Sequence, residues 1–144
     1  MVNTFLLCTT CEKCDLECQL DLPIEPSWGQ MRGDLVQNKG YMTFPPFEIM
    51  GASLNNQGNI WAGFREKRDN WVTPDLKKKI SEKSDIAYFA GCTASYVEPD
   101  IAKAAVTLLD AAGVNFTYIG QEENCCGIPM LVAGKWDIWE SNMR

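Results

Sequence analysis

The hydrophobic pattern is most regular in the last third of the chain. Ile86-Ala87-Tyr88-Phe89-Ala90 is a short apolar run ended by Gly91-Cys92-Thr93, which predicts a buried strand. Pro99 opens the next segment. There Ile101, Ala104, Ala105, Leu108, Leu109 and Ala112 recur with helical period and form an apolar stripe. Gly113 is placed as the C-terminal cap. Val114 to Ile119 predicts a second strand, and Gly120 to Gly127 a loop. The final stretch, with Trp136 and Trp139, suits another helix. Two consecutive strands joined by a helix are expected to be parallel, with a right-handed crossover.

Earlier in the chain the pattern is weaker. A helix is predicted from Pro26 to Val36, with Trp28, Met31 and Leu35 on one face and Gly29 and Gly33 working against it. Phe44-Pro45-Pro46-Phe47 cannot sit inside a helix or a central strand, and Asn55-Asn56-Gln57-Gly58-Asn59 predicts turns. Thr73-Pro74-Asp75 is a helix start, with Thr73 as cap and Pro74 at the first position. That short helix puts Leu76 and Ile80 on one face, surrounded by Lys77, Lys78 and Lys79. The lysine run reads as a solvated face; docking to an acidic partner or membrane surface is the sharper alternative.

Composition narrows the function classes. The 144 residues are 46% hydrophobic and 22% charged, enough to bury a core. The net charge of -6 argues against a nucleic-acid footprint. Charge falls in three blocks: net -4 over residues 1–35, +3 over 36–83 and -5 over 84–144. Cysteine follows them, with four in the first block, none in the second and three in the third. There is no histidine, which excludes Ser-His-Asp and Cys-His catalysis and every histidine-ligated metal site. The N-terminal Met1 to Cys8 lacks the basic region of a signal peptide, and no apolar run is long enough for a membrane span. The chain therefore reads as cytoplasmic, where clustered thiols point to metal or redox work more often than to disulfide staples.

The cysteines carry the candidate chemistry. Cys8, Cys11, Cys14 and Cys18 have the spacing C-x2-C-x2-C-x3-C, which lets one short loop wrap a [4Fe–4S] cubane. Zinc and a redox-active dithiol are the alternatives. In two-cluster ferredoxins the fourth cysteine of such a run serves the other cluster, and a proline follows it. Here Gln19 takes that place and no cysteine motif precedes residue 8. Either Cys18 closes a single cluster, or the chain starts within a longer protein. Cys92 follows the carboxyl end of the first predicted strand, and Cys125 and Cys126 follow that of the second. Parallel strands bring both loops to one sheet edge, so three cysteines far apart in sequence are expected to converge. Adjacent cysteines are poor disulfide partners. A buried pair of small side chains and a vicinal disulfide are the bland readings. The alternative is a pair of thiolates on one cluster, with Gly127 letting the backbone approach the metal.

Gly91-Cys92, followed at a distance by Cys125-Cys126-Gly127, resembles the cysteine-rich CCG domain of heterodisulfide reductase B and D subunits. That domain also occurs in relatives serving lactate, glycolate and glycerol-3-phosphate oxidation. The cysteine run followed by Leu22-Pro23-Ile24 resembles the cluster module of fused members. Gly58-Asn59-Ile60-Trp61 and Arg68-Asp69-Asn70-Trp71 resemble the family's linker motifs, with Ile60 in place of a proline. The likeness extends to the DsrK-type subunit of the sulfite-reductase-associated membrane complex.

The resemblance implies an α+β then α/β architecture. Residues 1–36 are expected to be the C-terminal part of a ferredoxin-like [4Fe–4S] module and 37–83 a loop-rich linker. Residues 84–144 are expected to be a Rossmann-like β-α-β first part of a CCG domain whose downstream C-x2-C lies beyond Arg144. The chain is thus expected to be a piece of a larger subunit, inactive alone. The resemblance further implies an iron–sulfur oxidoreductase of the disulfide-reductase type. Such a subunit would take electrons from a membrane cytochrome b-type quinol-oxidising subunit. They would pass through a cubane at Cys8, Cys11, Cys14 and Cys18 to a non-cubane [4Fe–4S] cluster held in part by Cys92, Cys125 and Cys126. The substrate would be a disulfide or trisulfide, as on a small sulfur-carrier protein. Location would be cytoplasmic, peripheral on the inner membrane face through a partner. The rival readings are an electron-relay subunit of a lactate, glycolate or glycerol-3-phosphate dehydrogenase and a zinc-binding structural protein. Glu122 and Glu123 beside the cysteine pair read as a solvated acidic loop, with proton relay as the alternative. The five tryptophans read as cluster shielding or as core packing.

Overall fold

The computed structural model describes residues 6–41 and 43–144, so Met1 to Phe5 of the leader reading lie outside the described residues. Two compact units emerge: Met1–Gly51 with Gly127–Arg144, and Ala52–Cys126. Among the described residues the secondary structure is mostly helical, with one two-stranded parallel sheet. Among the described residues no helix is long and apolar enough to cross a membrane.

In the first unit α1 (Lys13–Glu17) sits within the cysteine run and α2 (Ile24–Gly33) follows it. A carboxylate nine positions upstream starts α2: Asp15 Oδ1 accepts the backbone N–H of Ile24 at 2.9 Å and of Glu25 at 2.8 Å. These are orphan donors of a helix's first turn, and an ionised acceptor at the positive end of the helix suits them. Sequence pattern placed this helix at 26–36; it begins two residues earlier, and its last turn widens into a π-turn over Asp34–Asn38. The predicted inner face is corrected as well. Met31 is 45% exposed, whereas Arg32 and Gly33 are buried. Gly33 is buried because the Trp136 ring lies where a Cβ would project. The glycine that weakens the helix by propensity is thus what lets Trp136 pack on it. Trp136 opens the predicted last helix, α8 (Trp136–Met143), which follows the short α7 (Ile128–Val132).

The loop-rich reading of this stretch is corrected: α3 (Pro45–Gln57) takes in both prolines and the first three residues of the turns expected at Asn55–Asn59. Pro45 and Pro46 are its first two residues, where missing N–H groups cost no helical hydrogen bond. Asn55, Asn56 and Gln57 are its last turn, and the chain leaves the helix only at Gly58 (φ 66°), whose N–H bonds to the Leu54 carbonyl. The boundary between the two units falls within this helix.

The second unit has its core around Trp71, Leu76, Ala94, Ala102, Val106 and Phe116. Trp71 is a packing residue: its ring meets Tyr118 edge-on at 5.1 Å and its Nε1 donates to the Tyr118 hydroxyl at 3.3 Å. α4 (Pro74–Lys77) starts as expected, with Thr73 Oγ1 accepting the Leu76 N–H and Leu76 buried. The lysines just past its end make ion pairs, exposed Lys78 with Asp75 and partly exposed Lys79 with Asp110. β1 (Ala87–Tyr88) and β2 (Thr117–Tyr118) pair in parallel, Ala87 opposite Thr117 and Tyr88 opposite Tyr118. The expected strand–helix–strand order is present, but each strand has two residues. The predicted buried run is corrected: Ala87 of β1 is exposed, and Ile86 and Phe89 on either side of the strand are about half exposed.

Between the strands lie α5 (Gly91–Tyr96) and α6 (Pro99–Ala111), the latter ended by Gly113 at φ 68°. The inner face of α6 is corrected. Ala102 and Val106 are fully buried and Leu109 packs beside them, whereas Ile101 and Leu108 of the predicted stripe are 59% and 69% exposed. Apolar residues occupy two adjacent stripes of this helix. Periodicity alone does not choose between them; the fit of Ala102 and Val106 into the core does.

Candidate metal centre

The parallel pairing places the carboxyl ends of β1 and β2 side by side. Beyond β1 the chain turns through Gly91 (φ 75°) into α5, whose second residue is Cys92. Beyond β2 a 3-10 turn, Gly120–Glu122, leads to Cys125. The Sγ atoms of Cys92 and Cys125 come to 3.3 Å, and both residues are buried. Cys126 is exposed. The structure therefore brings together the first cysteine and the first of the pair. Among the described residues no three Cys, Asp or Glu side chains are gathered as around a metal ion.

A turn after α3 forms the wall behind the two sulfurs. The Gly58 carbonyl accepts the Cys125 N–H at 2.8 Å. Asn59 is fully buried and holds the turn: its Oδ1 accepts the N–H groups of Trp61 and Gly63, and its Nδ2 donates to the carbonyls of Gln57 and Gly63. Trp61 Nε1 donates to Thr93 Oγ1 at 3.2 Å. The Cys92 thiol is pulled down to about 6, first by its hydrogen bond with Cys125 and also by the Ile60 backbone and the Arg68 charge, against the opposing effect of burial. A thiol so placed is readily deprotonated, as a metal ligand must be.

Sequence reasoning missed the group that organises this wall. Arg68 and Glu123 form an ion pair with Nη1 to Oε2 at 3.2 Å and both side chains fully buried. Arg68 Nη2 donates to the same Gly58 carbonyl at 3.1 Å. Glu123 Oε1 accepts the Ala90 N–H at 2.9 Å, and its Oε2 the Gly91 N–H at 3.2 Å. The solvated-loop reading is corrected for Glu123: burial pushes its carboxyl up, while the Ala90 and Gly91 N–H groups and Arg68 pull the other way. Glu122, its neighbour, is exposed. The available signal was the Arg-x-x-Trp stretch at 68–71, which pattern alone does not connect to residue 123.

The first cysteine run lies in the other unit. Cys11 is exposed, and Cys8, Cys14 and Cys18 are half-buried. The Cys11 thiol is held below its ordinary value, first by the Lys13 backbone N–H. Desolvation and then Asp15 raise that of Cys14, whose Sγ lies 3.5 Å from Asp15 Oδ1. Buried Arg32 donates through Nη2 to the Cys8 carbonyl at 2.7 Å and through Nη1 to the Val132 carbonyl. Gly127 has φ 71°, and a Cβ there would lie 2.7 Å from the Trp139 ring. Glycine is therefore required by backbone and packing whatever lies beside the pair.

The description "Cysteine-rich domain" (CCG) matches residues 86–144. This stretch belongs to the CCG family. The CCG domain contains Cys92, Cys125, Cys126 and Gly127, and the sulfur contact joins its first cysteine to its cysteine pair. The chain as a whole is 34% identical over 128 residues to the D subunit of the dihydromethanophenazine:CoB–CoM heterodisulfide reductase of Methanosarcina mazei. The match covers 89% of this chain and 31% of that protein. It is 31% identical over 128 residues to the EtfAB:quinone oxidoreductase of Syntrophomonas wolfei, covering 83% of this chain and 18% of that protein. An iron-sulfur protein of Methanococcus maripaludis is 27% identical over 138 residues, 93% of this chain and 26% of its own length. The chain thus spans about a third or less of the relatives it matches, and it is a heterodisulfide reductase D-like sequence with a CCG domain. No solved structure matches it.

Proposed function

We propose that this chain belongs to an iron–sulfur electron-transfer subunit of the heterodisulfide-reductase type. Cys8, Cys11, Cys14 and Cys18 would hold a [4Fe–4S] cubane, and Cys92, Cys125 and Cys126 would supply ligands to a non-cubane [4Fe–4S] cluster beside Gly127. The donors fit such groups: all are soft sulfur, and one is a buried thiol of lowered pKa in contact with a second. When bound, the clusters supply one-electron steps and an iron that can hold a substrate sulfur. The chain's own residues present the thiols, fix their separation and exclude water from Cys92 and Cys125. The architecture proposed with this reading is a ferredoxin-type module over residues 1–36 and a Rossmann-like β-α-β unit from residue 84.

The substrate would be a disulfide or trisulfide, carried on a small sulfur-carrier protein in dissimilatory sulfur metabolism. Electrons would come from quinol through a membrane cytochrome b-type partner, with this chain docked on the cytoplasmic face. The observation that carries the reading is the contact between Cys92 and Cys125, supported by the likeness to a protein named for heterodisulfide reduction. The test is anaerobic purification or reconstitution of the chain, with iron, sulfide and zinc analysis and EPR of the reduced protein. Iron and sulfide with a cubane-type signal are expected. A colourless protein with stoichiometric zinc overturns the reading.

A second reading is favoured by the likeness to a quinone oxidoreductase. In it the same cysteines relay electrons for a dehydrogenase and cut no disulfide. Reduced protein that passes electrons to a quinone analogue and leaves disulfides intact would select it.

A further inference from the structure

The buried pair Arg68–Glu123 touches both backbone segments that carry the paired cysteines. On one side Arg68 Nη2 and the Cys125 N–H share the Gly58 carbonyl, at 3.1 and 2.8 Å. On the other, the two carboxylate oxygens of Glu123 hold the Ala90 and Gly91 N–H groups, immediately before Cys92. The Arg68 Nη1 to Glu123 Oε2 contact joins the halves. A continuous chain of hydrogen bonds therefore runs from the Cys125 backbone to the residues next to Cys92. Both charged side chains in it are fully buried, and a fully buried ion pair is a poor way to gain stability. Arg68 Nε has no hydrogen-bond partner among the described residues, and the guanidinium stacks 5.4 Å from the Tyr96 ring. Such a costly arrangement is better explained by geometry than by stability.

We propose that Arg68 and Glu123 are positioning residues that set the separation and orientation of the Cys92 and Cys125 sulfurs. This rests on the proposed function only for its consequence, that the two thiols act together as ligands. The positioning itself is a property of the metal-free chain. Arginine suits the task because its planar fork reaches a carboxylate and a carbonyl at once, which a lysine ammonium on a single stem does less well. The carboxylate suits it because two oxygens can receive two successive backbone N–H groups and the guanidinium together.

The test uses the full chain in metal-free, reduced form. Diamide takes up two hydrogens from two thiols and leaves a disulfide, so the rate at which the Cys92–Cys125 linked peptide appears, measured by mass spectrometry, reports their mutual placement. Glu123→Gln and Arg68→Met are expected to slow that linkage at least about tenfold, a loss on the scale of removing the partner that orients a ligand. Arg68→Lys restores part of it. Trp71→Phe, which loosens the same core without touching this chain of hydrogen bonds, leaves the rate unchanged. Circular dichroism selects the folded variants; should Arg68→Met fail to fold, Glu123→Gln and Arg68→Lys carry the comparison. Unchanged linkage rates in folded Glu123→Gln and Arg68→Lys overturn the proposal, as does equal slowing in Trp71→Phe. Zinc in place of iron would overturn the proposed function and leave these rates as they are.

Discussion

The Sγ atoms of Cys92 and Cys125 meet at 3.3 Å although 32 residues separate them, because each follows the carboxyl end of a strand and the two strands are parallel. If these thiols act as joint ligands, either one is indispensable. Cys92→Ser and Cys125→Ser are expected to remove the non-cubane EPR signal and its iron from anaerobically reconstituted protein, while the cubane signal persists. Loss of both signals together would argue for one cluster instead of two.

Asp15 joins the first cysteine run to α2 through two backbone N–H groups. Asp15→Ala is expected to cost about 1–2 kcal/mol, the scale of a lost helix cap. It also unties α1, which carries Cys14, from the start of α2. Urea unfolding measures the first effect, and slower cubane reconstitution the second.

Gly33→Ala puts a methyl group into the space of the Trp136 ring. Overpacking of this kind typically costs about 1–3 kcal/mol, more than the helix propensity gained from alanine. A lower urea midpoint with an unchanged slope is expected. Gly29→Ala, with open space around it, is expected to stabilise α2 slightly.

Lys135 Nζ lies 2.7 Å from Glu48 Oε2, and with Thr43 it holds the Glu48 carboxyl below its ordinary value. A folded-state pKa below the unfolded one contributes stability above the unfolded value, near pH 4 to 5, and loses it as pH falls through the folded value. Glu48 is partly exposed, so the contribution is screened to about 1 kcal/mol or less. The stability difference between the wild-type chain and Lys135→Met is expected to be present at pH 7 and to shrink as pH falls below the unfolded carboxyl range, near pH 4. A difference that does not shrink with acidification would assign it to packing of the lysine stem.

Local chemistry wrote much of this protein into its sequence. Thr73 with Pro74, Pro99 and Gly113 mark helix ends because caps and proline geometry act within a turn. Apolar runs joined by a helix pointed to a parallel pair, because the helix returns the chain to the end where the first strand began, and so anticipated the meeting of Cys92 with Cys125. Cysteine spacing and the absence of histidine confined the candidate chemistry to sulfur and carboxylate.

Tertiary structure decided what depends on partners distant in sequence. It selected Ala102 and Val106 over Ile101 and Leu108 as the inward side of α6, since both stripes are apolar and only the receiving core distinguishes them. It made a helix of Pro45–Gln57 where the prolines spoke against a helix interior and the asparagines suggested turns. It took Glu123 out of water, because a carboxylate can be buried when an arginine 55 positions away and two backbone N–H groups receive it, and no periodicity records that pairing.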